Sequence, residues 1–423
     1  MASTKDRIIS VLPQPVFQLL RRGRATALNL RDHDRALASY SASDRRVLSA
    51  HQACASQQHR RGTVLIASTG VANIGDQAML NAALQTVPGP VTVVAKSEST
   101  YTIEREDVTV VHAAEAFYGY GGARAAAVET LAEYIAQANH LCIIGADIID
   151  GGYQRGVAYK TWSLARAAAE AGYDTRILGF SWGTAVDEQV SSIARAALAA
   201  GVQACCRDSI SYQRFRADTQ EIGDCDHVAD VVFTLPTATA PAAAAPTQPY
   251  TLINVSGLIS HRMDQVQDYL QVCRYLSSHG RELVFIPHVA NRGGDDRQAI
   301  REVTTVLDTE HIPYRVLPDL LSPAEVAQWA AGAESVVTGR MHLSILSFSN
   351  LTPAVVLGTQ GKVEGLVSDL ELPWLLVEPR PGMVGAICAA LERIASDPEA
   401  VHETLRTTVP QLRERAAENF RGL

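Results

Sequence analysis

Two doubly wound α/β domains, each on a parallel sheet and facing the other across a cleft, are what this sequence predicts. Three observations carry that prediction. From Thr63 onward, strand-like apolar runs alternate with segments of helical length and periodicity. The alternation breaks once, at 236–249, where four prolines interleave with Ala and Thr. The chain is 423 residues long, enough for two domains with their own cores.

In the first series, 63–68 reads as a strand and 76–87 as a helix opened by the turn at Gly75. Strands at 91–95 and 141–145 follow, then a helix at 158–171, a strand at 175–180 and a helix at 187–200. A short strand at 203–206 leads into a helix at 209–215. The proline-rich stretch that comes next cannot hold a helix or a central strand and reads as a semi-rigid connector. The second series opens with a strand at 250–255. Val266, Tyr269, Leu270, Cys273 and Leu276 then line one helix face that Gly280 ends. A strand at 282–286, a helix at 295–307 and a strand at 314–316 continue the pattern. Ser322, Pro323 and Glu325 supply an N-cap, a first-turn proline and early negative charge for a helix at 322–331. The strand at 335–338, a short helix begun at Arg340 and the strand at 354–357 complete it. The resulting division is a basic extension at 1–62, a Rossmann-like domain at 63–235, the linker at 236–249, a second Rossmann-like domain at 250–380 and a helical tail at 381–423. That tail is expected to pack back on the first domain.

Composition bounds the function classes. Hydrophobic residues make up 47% and charged ones 19%, as in a soluble globular protein. The net charge of −8 gives no global signature of nucleic-acid binding. Residues 1–62 carry eleven Lys and Arg against four Asp and Glu, so a basic leader precedes an acidic body. It reads either as a tether to anionic membrane or a partner, or as a solvated, partly helical extension. Seven cysteines, without a C-x-x-C pair, fit buried reduced thiols and argue against a metal site. Neither a signal peptide nor an apolar run of membrane-spanning length is visible. A cytoplasmic protein, touching the inner face of the membrane at most through its leader, is the expectation.

Ligands of open parallel sheets bind beyond the carboxyl ends of the strands, and that is where the chemistry-bearing residues fall. Thr338-Gly339-Arg340-Met341-His342-Leu343-Ser344 is the most informative stretch. It puts a guanidinium and an imidazole in the first turn of a helix, where free N–H groups already favour an anion. The plainer alternative is a surface Arg340 and a His342 that caps the helix. After the first strand, Asn73-Ile74-Gly75-Asp76 opens a helix with a carboxylate, which suits an N-cap or a catalytic group but not a dinucleotide fingerprint. Asp147 and Asp150 flank the strand end at 141–145, ahead of Gly151 and Gly152. Arg207-Asp208-Ser209 follows the strand at 203–206, and Ile286-Pro287-His288 runs into a polar loop that ends in Asp295 and Asp296. Lys362 and Glu364 sit in the loop after 354–357. Each could be a solvated turn or a surface ion pair; together they crowd the strand tips of both halves.

In this order, from about Thr63 to Gly365, these pieces resemble the polysaccharide pyruvyl transferase family. The resemblance rests on Asn73-Ile74-Gly75-Asp76, Arg207-Asp208-Ser209, Ile286-Pro287-His288, the stretch from Gly339 to Ile345, and Pro353 through Lys362. It implies a two-Rossmann-domain architecture like that of GT-B glycosyltransferases. It also implies transfer of the pyruvyl group of phosphoenolpyruvate to sugar hydroxyls of a cell-envelope or exopolysaccharide glycan, as a ketal. By resemblance, Arg207, Arg340 and His342 contact the donor. His342 is then the candidate proton donor, Asp76, Asp147 and His288 are the groups that orient or deprotonate the acceptor hydroxyl, and Asn73, Gly75 and Lys362 complete the substrate site. No metal or cofactor is expected beside the donor substrate. The family often carries three glycines where this chain has Gly145-Ala146-Asp147, so acceptor or donor can differ. A nucleotide-sugar-dependent glycosyltransferase on the same framework is the alternative enzyme, and a non-catalytic glycan-binding protein the alternative from another class.

Overall fold

The computed structural model describes residues 34–54, 60–68, 71–96, 101–291, 294–358 and 361–423. Residues 1–33 and 55–59 of the basic leader, residues 97–100, Thr69 and Gly70, Arg292 and Gly293, and Thr359 and Gln360 lie outside the described residues.

The first sheet has seven parallel strands in the order β3-β2-β1-β4-β5-β6-β7. They are β1 (Thr63–Ile66), β2 (Val91–Ala95), β3 (Val108–His112), β4 (His140–Ala146), β5 (Asp174–Phe180), β6 (Gln203–Cys206) and β7 (Cys225–His227). The second sheet has six, in the order β10-β9-β8-β11-β12-β13. These are β8 (Tyr250–Ile253), β9 (Glu282–Phe285), β10 (Arg315–Val316), β11 (Ser335–Thr338), β12 (Ala354–Leu357) and β13 (Leu376–Val377). In each sheet the first strand of the series pairs with both the second and the fourth, so the order reverses between β1 and β4 and again between β8 and β11. Such a reversal opens a crevice at the carboxyl ends of the strands. The expected two-domain α/β class is therefore the observed one. The edge strands β3, β7 and β13 extend the sheets beyond the strands read from sequence.

Fifteen helices surround the sheets among the described residues. Helix α1 (Asp34–Cys54) belongs to the leader but packs on the first lobe. Its Leu37 and Leu48 are fully buried, and its buried Asp44 takes both guanidinium ends of Arg124 at 2.8 Å. This part of the leader is a docked layer of the fold, not a free tether. Helix α2 (Ile74–Thr86) follows β1. Helix α12 (Met341–Ser349) follows β11, and α15 (Pro398–Ala417) is the last long helix.

No helix or strand forms between the 3-10 turn Val231–Thr234 and β8, as the prolines of that stretch require. The turn packs against α2, α12 and α15 and so marks where the lobes join. One hydrophobic cluster runs through the junction, including Ile74 and Ala78 of α2 and Leu343 and Ile345 of α12. Past α15, Asn419 accepts from Gly179 N at 2.8 Å and donates to Ala229 O at 2.9 Å, tying the end of the chain to the first lobe. No helix among the described residues is long and apolar enough to cross a membrane.

Candidate active site

The carboxyl ends of the two sheets meet directly. Asn73, before α2, pairs in an antiparallel bridge with Val289, after β9. Ile74 N donates to His288 O at 3.1 Å, and Ala290 N donates to Ala72 O at 2.9 Å. Asn73 also caps α2, as its position predicts: Oδ1 accepts from Gly75 N and Nδ2 donates to Asp76 Oδ2, both at 3.0 Å. The cap thereby aims the Asp76 carboxyl.

His342, in the first turn of α12, reaches across to this corner. A Cβ on Gly75 would stand 2.3 Å from His342 Nδ1, so the ring rests on bare backbone at the mouth of α2. On the other side, His342 Nε2 lies 3.6 Å from Asp230 Oδ2. The same oxygen accepts from Arg207 Nη1 at 2.9 Å, while Arg207 Nε donates to Ser181 Oγ at 2.8 Å. Arg207 from β6 and His342 from the second sheet thus share one carboxylate. Burial alone would raise Asp230, but His342 and Arg207 outweigh it and hold the group at about 2. Asp76 goes the other way. Its burial, reinforced by the charge of Asp147 and opposed by His342, Ser68 and Asn73, pushes it up to about 6. A carboxyl titrating there suits proton transfer near neutral pH.

A second crossing joins Lys362, after β12, to the loop after β4. Its ammonium donates to Asp147 Oδ2, lies 3.4 Å from Tyr153 Oη and sits 4.5 Å from the centre of the Tyr153 ring. Burial would raise Asp147, yet Lys362, Arg207 and His342 together hold it at about 2. So low a value makes a weak base, and Asp147 is better suited to orient than to deprotonate. Burial also depresses Lys362, more than its carboxylate partners restore.

Arg340 is anchored before it meets any ligand. Its Nε lies 3.1 and 3.2 Å from the two oxygens of Asp296, and Nη2 donates to Gly294 O at 2.7 Å. Asp296 is fully buried and also accepts from Asn254 Nδ2, Gly257 N, His288 N and Val289 N at 2.9 to 3.0 Å. His288 is buried beside this hub, with neither ring nitrogen hydrogen-bonded among the described residues. Burial first, then the charges of His342 and Arg340, lower it well below the usual imidazole range, so it stays neutral.

The residues read from sequence therefore fall into linked groups. Asn73, Gly75, Asp76, Arg207 and His342 converge at one corner. Lys362 and Asp147 stand beside it, coupled through the charges of Arg207 and His342. Arg340 and His288 form the adjoining group around Asp296. Sequence reasoning missed Asp230, Ser181 and Tyr153 and left Asp296 as a loop residue. A signal existed for Asp230: it is the lone charge in Val228-Ala229-Asp230-Val231-Val232-Phe233. A carboxylate inside an apolar run must be paired when that run is buried. Among the described residues, no group of three or more His, Cys, Asp or Glu side chains is placed to hold a metal ion.

Comparison with known proteins agrees with this layout. The chain is similar over 100 residues, at 28% identity, to the amylovoran biosynthesis protein AmsJ of Erwinia amylovora, a match that covers 24% of each chain. The chain thus spans about a quarter of that relative's length. In structure it is similar to sucrose-phosphate synthase from Thermosynechococcus elongatus, with a TM-score of 0.51 and 13% identity over 85% of this chain and 97% of that one. It is also similar to a putative UDP-N-acetylglucosamine 2-epimerase from Listeria monocytogenes, with a TM-score of 0.53 and 10% identity over 85% and 94%. At such identities the likeness is one of fold, the two-domain GT-B arrangement. The polysaccharide pyruvyl transferase family matches residues 73–361, from the cap of α2 to the loop that carries Lys362. With well over half its length matched, and the clustered strand-tip residues except Lys362 inside the match, the chain belongs to the polysaccharide pyruvyl transferase family.

Proposed function

We propose that this protein transfers the pyruvyl group of phosphoenolpyruvate to two hydroxyls of a sugar in a cell-envelope or exopolysaccharide glycan, forming a ketal. The observation that carries the reading is the meeting of Arg207 and His342, from opposite lobes, beside Lys362 and the N-terminus of α12. Phosphoenolpyruvate presents a carboxylate and a phosphate a few ångströms apart, and paired cations with free helix N–H groups suit it.

In this scheme a proton adds to the methylene carbon and leaves an oxocarbenium-like centre at C2. The first sugar hydroxyl attacks C2 and gives its proton to Asp76, whose raised value makes it a better base than Asp147 or Asp230. The C2–O bond to phosphate then breaks, its electron pair leaving with the phosphate, and the second hydroxyl closes the ketal. The two hydroxyl protons balance the one taken up by the methylene carbon and the one carried off by phosphate. His342 supplies the carbon-bound proton, while Arg207, Arg340 and Lys362 stabilise the departing charge. Asp147 and neutral His288 orient the acceptor, a glycan or lipid-linked sugar that the basic leader would help meet at a membrane surface. No metal or cofactor enters the scheme.

The test is thermal protection followed by turnover. Phosphoenolpyruvate at a hundred times its dissociation constant should stabilise the protein by about 2.7 kcal/mol. UDP and GDP should not protect it, and inorganic phosphate should appear only with donor and acceptor glycan together. Protection by a nucleoside diphosphate, with phosphoenolpyruvate inert, would instead mean a nucleotide-sugar glycosyltransferase.

A further inference from the structure

Asp230 touches both lobes' contributions to the site, yet it lies outside every motif that pointed there. It caps the 3-10 turn at the lobe junction: Oδ1 accepts from Val232 N at 2.9 Å, which fixes the carboxylate. Its other oxygen meets Arg207 Nη1 at 2.9 Å and His342 Nε2 at 3.6 Å. The side chains of Asp230 and Arg207 are each 1% exposed, so this pair is not a surface contact that solvent would replace. The turn it caps packs on α2, α12 and α15, the elements that set the relative position of the lobes.

We propose that Asp230 is a positioning residue that locks Arg207 and His342, one from each lobe, into a single preformed clamp for the anionic donor. Three features support this. The Asp230 oxygen 3.6 Å from Nε2, a nitrogen that makes no hydrogen bond among the described residues, favours the ring proton there and leaves Nδ1 toward Gly75 and the Asp76 corner. The guanidinium is held at two points, Asp230 and Ser181, so its plane is set before any ligand arrives. The carboxylate also supplies the counter-charge that lets the guanidinium of Arg207 sit in a buried corner in the absence of ligand. The reading of the ligand as phosphoenolpyruvate rests on the function proposed above; the clamp itself does not.

Two measurements decide it. Nitrogen-15 imidazole NMR of the histidine-labelled protein, with His342 assigned from His342→Gln, should show a single Nε2-protonated tautomer in the ligand-free wild type. Inorganic phosphate should perturb that resonance. An Nδ1-protonated or freely exchanging ring would overturn the proposal, and this readout needs no turnover. In Asp230→Asn the tautomer should become mixed, and KM for phosphoenolpyruvate should rise at least tenfold, with kcat falling less. A folded Asp230→Asn protein with an unchanged His342 signal and a KM within twofold of wild type would also overturn it. A wild type that binds phosphate but never turns over phosphoenolpyruvate would sink the donor assignment alone, because the imidazole signal would still report on Asp230.

Discussion

The imidazole of His342 and the backbone of Gly75 are in such close contact that a Cβ at position 75 would stand 2.3 Å from Nδ1 and 2.7 Å from Cγ. Gly75 is thus required by the neighbour it faces across the lobes. Alanine suits a first helical turn, so Gly75→Ala should keep α2 while forcing the His342 ring out of place. A displacement of that kind costs on the order of 10²-fold in rate. The expected outcome is a fall of that size in kcat/KM for phosphoenolpyruvate with an almost unchanged far-ultraviolet circular dichroism spectrum. Activity within threefold of wild type would mean the ring is not used.

Asp76 predicts a pH dependence. As a base it must be ionised, so kcat/KM should rise through about pH 6, where burial has moved its titration. Asp76→Asn should abolish that limb along with most of the turnover. The same shift affects stability with a definite sign. The native value lies above the unfolded one, so the favourable contribution is complete below about pH 4 and is lost as pH rises through about 6. Asp76→Asn should therefore lose less stability between pH 4 and pH 7 than the parent, as followed by denaturant midpoints.

Much of this arrangement is legible from local sequence because it is set locally. The strand and helix periods gave the two sheets, and a guanidinium and imidazole just after a strand can only lie at its carboxyl end. Asn73 is a cap wherever α2 forms. What escaped is set by tertiary pairing. β7 is only Cys-Asp-His, too short and polar to read as a strand, yet it places Asp230 at the lobe junction. Arg340 was expected to face a ligand, and its proximity to Asp296 depends on how the loop after β9 folds over Gly257. Helix α1 lies within what composition marked as a basic extension, because its buried stripe of Leu37, Asp44 and Leu48 acquires meaning only against Arg124 and Ser163.

Ala146 ends β4 with a φ of 48°, in the left-handed region that glycine enters freely and a Cβ resists. The family resemblance expected glycine here, and the backbone retains the glycine conformation although the side chain has changed. Ala146→Gly should relieve this strain and stabilise the protein by about 1 kcal/mol, the part of the strain that glycine's extra unfolded-state entropy does not offset. A melting curve checks it. A loss of stability would mean that the Ala146 methyl, 3% exposed, contributes more by packing than the backbone loses.

Arg340 and His342 should separate by stability even though both variants lose activity. Arg340→Ala leaves Asp296 fully buried with its amide donors but without the Arg340 counter-charge. Breaking a buried pair in this way costs about 3–5 kcal/mol. His342→Ala leaves Asp230 still paired with Arg207, and its side chain is 16% exposed, so about 1 kcal/mol is the expected cost. Thermal melts should show a drop several times larger for Arg340→Ala. Arg340→Ala/Asp296→Asn should recover part of that loss, because it removes the stranded charge while keeping most of the hydrogen bonds. Equal melting temperatures for the two single variants would mean that Asp296 is balanced by its amide donors alone, leaving Arg340 free for the donor.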